Sequence, residues 1–551
     1  MTTIKKTILV FICLLFITIL GGFLRFYKNT SNPPSLNGDE ISFGYSAYSV
    51  LKTGRDEFGV FLPLVFKSVG DYKNPVPAYL MILPIKFLGL TDFAVRLPNA
   101  IFGTIAIPIF FFFLMYILKN KKIALLGSFL MAISAWWIFY SRYAYESLIA
   151  SIFALIGIWF YMKLLDDIKE KKYLFLSVFF LILTMYTAFA QRLFIPVFVA
   201  GITVFNFRKF KGNYKTFIVF LITCVLLALP LAYVTLFKEA GTRLTMVLIS
   251  NDIEFSRYVL LKNFGSVKDL ALLALFWAKR YLNYLDPNFL FFNGMHMTTL
   301  DSFGLGLMYP FEIPWLILGI FSFIKKKIPH KDVFVIWLLT GIIPDSLTNN
   351  QQQAGRLLHI SFIVILVVAL GLIEFVKWIL KIKDNLTKIL VAGAYIVFII
   401  LILIHAFLTF SVHFPRAKGE SYDEGLKQVS LYVTQHQSQY KEIMFDTRHG
   451  VDGPSMISNP YLYLLFYSKY DPKTYQTETR IYGSAANPYY HFDKYTFTYI
   501  NWPVDSLKPD TLFVASPWSF PSDLHGVKIL DTIYLTNGHI AYYIAVPAKK
   551  P

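Results

Sequence analysis

Residues Phe93–Leu118 read FAVRLPNAIFGTIAIPIFFFFLMYIL and are followed at once by Lys119, Lys121 and Lys122. Past Arg96 the run carries no charge until those lysines, and it is long enough to cross a hydrocarbon core, which takes about 20 apolar residues. The basic cluster marks the end that stays in the cytoplasm. Similar runs recur along the 551 residues, which are 56% hydrophobic and 18% aromatic with a mean hydropathy of +0.53. Such a composition excludes a soluble globular enzyme. A net charge of +18 would suggest a nucleic-acid partner in a soluble chain. Here the basic residues fall in alternate short loops, the positive-inside pattern, and no nucleic acid is implied. The two cysteines, Cys13 and Cys224, both lie in apolar runs, so neither a disulfide framework nor a cysteine-based zinc site is available.

Working outward from that run gives a topology. With Lys5 and Lys6 inside, Ile8–Phe26 crosses outward. It is long for the apolar part of a signal peptide and no small-residue cleavage site follows, so it reads as a retained span. An outer loop, 27–75, precedes the short apolar stretch Val76–Leu90 and the return at Phe93–Leu118. Ile123–Tyr140 goes out and Ser147–Leu165 comes back to Lys169, Lys171 and Lys172. Tyr173–Ala190 and Leu193–Phe207 form the next pair, ending at Arg208, Lys209, Lys211 and Lys215. Phe217–Phe237 leads into a long outer segment, and Phe303–Ile324 returns to Lys325, Lys326 and Lys327. Val333–Leu347, Leu357–Lys377 and Ile389–Ser411 complete a reading of about 11 crossings, or up to about 13 if the outer segment or Val76–Leu90 hides more. Trp136 and Trp137 read as lipid-facing or interfacial rings.

The expected architecture is a mainly α, polytopic membrane protein with a transmembrane domain over 1–412 and a small extracytoplasmic α/β domain over 413–551. After Pro415 the composition becomes that of a soluble domain. Ser421-x-x-Glu424 has capping-box spacing ahead of a helix with Leu426, Val429 and Val433 on one face. Thr511–Ala515 reads as a strand. Lys528–Leu535 and His539–Val546 flank Asn537-Gly538, a hairpin signal.

Ionisable residues held close to a bilayer are functional candidates. Asp39, Glu40, Asp71, Lys73, Arg142, Glu146, Gln191, Arg192, Arg356 and His359 all fall in or beside outer loops under this topology. A shared outer site and a set of solvated rims both give that sidedness. Adjacent carboxylates such as Asp39 and Glu40 suit a general base and a group that orients it. Lys73 stands just ahead of Pro75 and Pro77, where a cation could meet a phosphate at headgroup depth. Arg192 and Arg356 suit a phosphate through paired contacts. Snorkelling to the interface is the alternative for all three. Asn349–Gln353, a run of amides, fits either carbohydrate hydroxyls or a polar cap on a tight turn. Glu146 could pair with Arg142 one helical turn away. No His/Asp cluster has metal-ligand spacing, so a divalent cation is compatible with the chain but not indicated, and no other cofactor is called for.

Leu36-Asn37-Gly38-Asp39-Glu40 through Tyr45, with Leu51-Lys52-Thr53-Gly54-Arg55-Asp56-Glu57-Phe58-Gly59, resembles the first outer loop of bacterial relatives of the protein O-mannosyltransferases. Gly70-Asp71-Tyr72-Lys73-Asn74-Pro75 and Phe93-Ala94-Val95-Arg96-Leu97-Pro98 extend the resemblance. These are integral-membrane glycosyltransferases of the GT-C superfamily, which also includes the lipid A aminoarabinose transferases. The resemblance implies an inverting enzyme of the bacterial cytoplasmic membrane. It would move a sugar from a polyprenyl-phosphate carrier to an extracytoplasmic acceptor: protein, lipid or glycan. Asp39 and Glu40 match the family's acidic pair, and Asp39 would take the acceptor's proton. Lys73, with Arg192 or Arg356, would offset charge on the leaving phosphate. Glu146 matches a second acidic position, where the resemblance implies binding of sugar hydroxyls or a metal, and Tyr186 and Gln191-Arg192 resemble positions near the donor. Arg142 and His359 complete the candidates for sugar or acceptor contact. The family's basic-Pro-Pro segment is matched in part: Asn74 separates Lys73 from Pro75, and the second proline is displaced to Pro77.

The competing class is a transporter or lipid flippase. Transporters place charge near the bilayer midplane and carry internal repeats, whereas here the candidates lie at the rim and no repeat is visible.

Overall fold

The computed structural model describes residues 3–68, 72–237, 248–249, 252, 267–294, 305–349, 352–484 and 487–548. They form two compact units: one of Met1–Tyr27, Asn74–Pro77 and Asn99–Thr409, the other of Lys28–Lys73, Ala78–Pro98 and Phe410–Pro551.

The first unit is helical. In chain order the helices are α1 (Thr3–Phe26), α2 (Gly38–Thr53), α3 (Pro75–Leu88), α4 (Asp92–Leu118), α5 (Lys121–Ile133), α6 (Ala135–Arg142), α7 (Glu146–Asp166), α8 (Lys171–Thr187), α9 (Gln191–Lys211) and α10 (Tyr214–Phe237), of which α2, most of α3 and the start of α4 belong to the second unit. Among the described residues, six helices are long and apolar enough to cross a membrane, and a seventh span is counted if the bent pair α5–α6 is one span. The protein is therefore an integral membrane protein. The count of about 11 crossings is not reached by helices of spanning length, because several expected runs are short or broken. Ile123–Tyr140 bends by 54° between α5 and α6. Val333–Leu347 splits into Lys331–Gly341 and Ile343–Ser346, with Pro344 at the start of the second piece, where its missing N–H costs no helical bond.

The bend at Ser134 leaves carbonyls without helical partners, and side chains supply them. Arg25, fully buried at the end of α1, donates from Nη1 to Ala132 O (3.0 Å) and from Nη2 to Met131 O (3.1 Å). Tyr309 Oη donates to Ile133 O at 2.8 Å. Trp136 and Trp137 are not lipid-facing. They are 5% and 0% exposed, and their indole N–H groups donate to Ala354 O and Ser361 Oγ, because an indole N–H inside a helical unit needs an acceptor. Ile313–Lys325 and Ser361–Leu380 cross at backbone contact. A Cβ on Gly371 would meet Trp315 O at 1.7 Å, and one on Gly319 would meet Val367 O at 2.0 Å. Small residues at a helix crossing allow this approach where the hydrophobic effect between helices is absent.

The second unit holds a seven-stranded sheet. Two short strands come first, β1 (Phe66–Lys67) and β2 (Tyr72–Lys73), with register Phe66↔Lys73. The strands β3 (Glu442–Asp446), β6 (Ile481–Ser484), β7 (Asn487–Phe492), β8 (Tyr495–Thr498), β9 (Thr511–Ala515), β10 (Val527–Tyr534) and β11 (Ile540–Pro547) follow the order β10-β11-β9-β3-β8-β7-β6. A separate pair joins β4 (Arg448–His449) to β5 (Met456–Ile457). Strand β3 runs parallel to both β8 and β9, while the remaining pairs of the large sheet are antiparallel. All five residues of β9 are buried, as a strand with neighbours on both edges and cover on both faces requires. The hairpin at Asn537-Gly538 forms, with Gly538 at φ +90. Leu426, Val429 and Val433 are buried on one face of Leu426–His436.

The capping box at Ser421 and Glu424 does not form. The helix starts after Gly425, whose φ of +101 interrupts it, and Glu424 instead accepts from Thr536 N and Oγ1. Helix α2 packs on Pro460–Tyr467 within the same unit. A Cβ on Gly44 would meet the Phe466 ring at 2.7 Å, so glycine is required there for contact rather than for backbone freedom. The segment around α2 is thus tied to the helices Pro460–Tyr467 and Pro472–Thr477, by Tyr463 Oη to Leu36 O (3.0 Å) and by Gln476 Nε2 to Asp56 O (2.8 Å).

Candidate functional site

The acidic pair sits on the first turn of α2. Asn37 caps it: Glu40 N donates to Asn37 Oδ1 at 3.0 Å, and Asn37 N donates to Glu40 Oε2 at 3.2 Å. Carboxylates at the second and third helical positions also meet the positive end of the helix dipole. From there the neighbours diverge. Glu40 is fully buried against Arg96, whose Nε donates to Oε1 and Nη2 to Oε2, both at 2.9 Å. The remaining guanidinium hydrogens go to Asn29 O, Pro33 O and Ser35 O. Arg96 therefore clamps the chain leading into α2, and Glu40 neutralises the clamp. Both Glu40 oxygens are engaged by Arg96, because a buried guanidinium requires a counter-charge.

Asp39 is 47% exposed and pairs with Lys73 Nζ. Lys73 is 10% exposed and also faces the Phe43 ring at 5.9 Å. The lysine expected at a phosphate thus pairs with a carboxylate. Asp71 lies outside the described residues.

The transmembrane unit holds a second cluster. Asn74, set aside in the sequence as an interruption, is its centre: Asn74 Nδ2 donates to Glu146 Oε2 at 2.7 Å, and Arg192 Nη2 donates to Asn74 Oδ1 at 2.5 Å. Glu146 also accepts from Phe189 N at 3.2 Å, and Arg192 contacts Thr235 Oγ1 at 2.9 Å and the Phe189 ring at 4.1 Å. Asn99 fixes the turn before Glu146 by donating to Tyr143 O and Tyr145 O, each at 2.8 Å. Arg142 and Glu146, which the sequence offered as a possible pair one turn apart, do not share a helix. Helix α6 ends at Arg142, Tyr143 and Tyr145 are extended, and Glu146 opens α7. Arg142 donates to Leu24 O and Tyr27 O. Gln191 is 1% exposed beside Arg192.

Three other candidates are occupied within that unit. Arg356 Nη1 donates to Asp345 Oδ1 and to Thr348 Oγ1, at 2.8 and 2.9 Å. His359, 1% exposed, accepts from Trp337 Nε1 at 2.9 Å and packs on Phe194 with ring centres 4.2 Å apart. Tyr186 Oη donates to Leu227 O. In the amide run, Gln352 Nε2 donates to Asn283 O at 2.7 Å and Gln353 N to Asp345 Oδ2 at 2.8 Å, so both serve the turn; Asn350 and Gln351 lie outside the described residues. Among the described residues no group of three His, Cys, Asp or Glu could hold a metal ion.

The residues missed in the sequence are Arg96, Asn74 and Asn99. Arg96 carried a readable signal: a guanidinium one turn into a long apolar helix demands a counter-charge. Asn74 and Asn99 carried none, since an amide names no partner.

The sequence model of the dolichyl-phosphate-mannose-protein mannosyltransferase family matches residues 15–244. No curated protein sequence gives a significant match. Among solved structures, ArnT from Cupriavidus metallidurans in the apo state superposes with a TM-score of 0.54 at 11% identity, over 98% of each chain. ArnT bound to undecaprenyl phosphate gives the same score and identity over 100% of both chains. The archaeal oligosaccharyltransferase AglB from Archaeoglobus fulgidus, in complex with an inhibitory peptide and a dolichol-phosphate, matches with a TM-score of 0.50 at 12% identity, over 85% of this chain and 64% of that one. At these identities the likeness is one of fold: a polytopic helical membrane protein with a C-terminal mixed sheet, the GT-C architecture.

Proposed function

We propose that this protein is an inverting glycosyltransferase that moves a sugar from a polyprenyl-phosphate carrier to a hydroxyl of an extracytoplasmic acceptor, with its N-terminus in the cytoplasm and its C-terminal domain outside. The observation that carries the reading is the pairing of a half-exposed Asp39 with Lys73 on a capped, clamped helix start, in a chain of GT-C fold. The family match over residues 15–244 spans that pair, and two of the similar solved structures hold undecaprenyl phosphate or a dolichol-phosphate.

In this mechanism the acceptor oxygen attacks the anomeric carbon as the Asp39 carboxylate takes its proton. The bond from the anomeric carbon to the phosphate oxygen breaks, and its electron pair leaves with the polyprenyl phosphate. A phosphodiester that becomes a monoester gains charge, so cations aid departure more than a general acid does. Lys73 is free to exchange its carboxylate partner for the donor phosphate. That exchange would release Asp39 to act as base at the moment the donor is bound. Glu40 acts through Arg96 as a positioning residue. Arg356 is already neutralised by Asp345.

The test is direct. Purified protein is incubated with a panel of polyprenyl-phosphate sugars and candidate acceptors, and released polyprenyl phosphate is measured. Acceptor-dependent release lost in Asp39→Asn supports the reading; release at the parent rate in that variant overturns the base assignment.

A further inference from the structure

The second unit contains a cavity of about 680 Å³ that the reaction above does not use, lined in part by Phe58, Lys67, Thr447, Ser458, Arg480 and Tyr482. The volume is that of a small-molecule site. Its walls combine three features seldom found together on an inert surface.

The first is a set of ring faces. Tyr482 packs on Tyr490 with centres 4.9 Å apart, and Tyr461 packs on Tyr490 at 4.6 Å, while Tyr482 remains 60% exposed. Flat rings at a cavity mouth match the apolar C–H faces of a pyranose. The second is unbalanced positive charge. Lys67 Nζ and the Arg480 guanidinium flank the same Phe58 ring, at 5.3 and 5.4 Å. Among the described residues neither forms an ion pair with a carboxylate. Two acids feel the charge of Arg480, Asp56 and Glu57, and the backbone carbonyl of Glu57 accepts from Arg480 Nη1 at 3.3 Å. The Glu57 carboxyl is fully buried, and burial pushes it up to about 8, so at neutral pH it is mostly protonated; burial also raises Asp56, whose Oδ1 is taken by Phe58 N and Val60 N, which leaves at most one carboxylate against two cations. The third is unfilled hydrogen-bonding capacity. Thr447 Oγ1 and Ser458 Oγ are buried in the cavity wall with no partner among the described residues. Ser458 N donates to Thr447 O at 2.9 Å, which holds the two hydroxyl-bearing residues side by side at the end of the β4–β5 pair. Buried hydroxyls are ordinarily paired, and an orphaned pair in a cavity wall calls for a ligand.

We propose that this cavity binds an anionic saccharide: rings for the sugar faces, Thr447 and Ser458 for its hydroxyls, Lys67 and Arg480 for its carboxylate or phosphate. Identification of that saccharide with the acceptor rests on the function proposed above, but the binding itself does not.

The test titrates full-length protein in detergent by calorimetry with four probes: a hexuronate trisaccharide, a phosphorylated hexose disaccharide, a neutral hexose trisaccharide and a short glutamate peptide. At least one anionic sugar should bind about tenfold or more tightly than the neutral one, and more tightly than the peptide. Lys67→Ala and Arg480→Ala should each weaken the anionic sugar by about tenfold or more, as loss of a charge-assisted contact does, and Arg480→Lys should recover part of it. Tyr482→Ala should weaken neutral and anionic sugars alike. Lys67 and Tyr482 are exposed, so their truncation leaves the core intact. Equal binding of neutral and anionic sugars overturns the proposal, as does tighter binding of the peptide or the absence of heat with every probe. No donor and no turnover enter the titration, so failure of the proposed reaction would leave this result standing.

Discussion

Asp39 and Glu40 are consecutive residues on one helix, and the fold gives them opposite lives. Successive helical positions point about 100° apart. That rotation sends Glu40 into a fully buried pair with Arg96, and leaves Asp39 half exposed beside Lys73. The first pair is sealed from water and wired to three backbone carbonyls. The second joins a half-exposed carboxylate to a lysine that also faces the Phe43 ring. A buried pair is expensive to break and poor at chemistry, while a half-exposed one is cheap to break and available. Sharing an Asp-Glu motif does not make two residues share a job.

That contrast can be broken at several points. The largest effect should come from Asp39→Asn, which removes the proposed base while keeping its shape. Turnover should fall by roughly 10²–10⁴-fold, while thermal unfolding in detergent shifts by no more than about 1 kcal/mol. Arg96→Ala should do the reverse. It strands a buried carboxylate and should cost about 3–5 kcal/mol of stability, read as a lowered unfolding midpoint. If Arg96→Ala leaves the midpoint in place and Asp39→Asn lowers it instead, the assignment of roles is inverted.

Lys73→Ala is next. If the lysine meets the donor phosphate as the glycosidic bond breaks, kcat/KM should drop roughly 10- to 150-fold, the equivalent of a charge-assisted contact of about 1.5–3 kcal/mol. The fall should appear in kcat as well as in KM. An unchanged kcat/KM would confine Lys73 to pairing with Asp39.

Glu57 sharpens the comparison from the side of pH. Burial raises its carboxyl from 4.5 to about 8. The unfolded chain loses this proton near 4.5, whereas the folded chain keeps it until about 8. Between those values the folded state binds the extra proton, so its stability falls as pH rises, by up to about 1.4 kcal/mol per pH unit. Glu57→Gln should flatten that slope and make the protein more stable than the parent at pH 8, checked by unfolding midpoints from pH 5 to 8. A parallel slope in the variant would exclude Glu57 as its source.

The smallest effect should come from Lys427→Ala. Lys427 is 44% exposed and pairs with Asp92, which also accepts from Tyr467 Oη at 3.0 Å. Loss of such a contact should change stability by less than about 1 kcal/mol, well below the Arg96 variant in the same unfolding assay.

By itself the sequence determined the membrane class, the apolar helices from Phe93–Leu118 outward, the strand at Thr511–Ala515 and the Asn537-Gly538 hairpin. Each is written in local composition, periodicity or turn chemistry, and needs no knowledge of distant residues. The tertiary structure decided the rest. Glu40 finds Arg96 across 56 positions, Asn74 finds Glu146 across 72 and Arg192 across 118. Ser421 and Glu424 had the spacing of a cap, yet Gly425 and a distant Thr536 redirected them. Trp136 and Trp137 read as belt residues but are buried on acceptors more than 200 positions away. A charge or a polar group close to a membrane announces in sequence that it needs a partner. Which partner it takes depends on chain closure over long loops, and that is settled only when the helices and the sheet have packed.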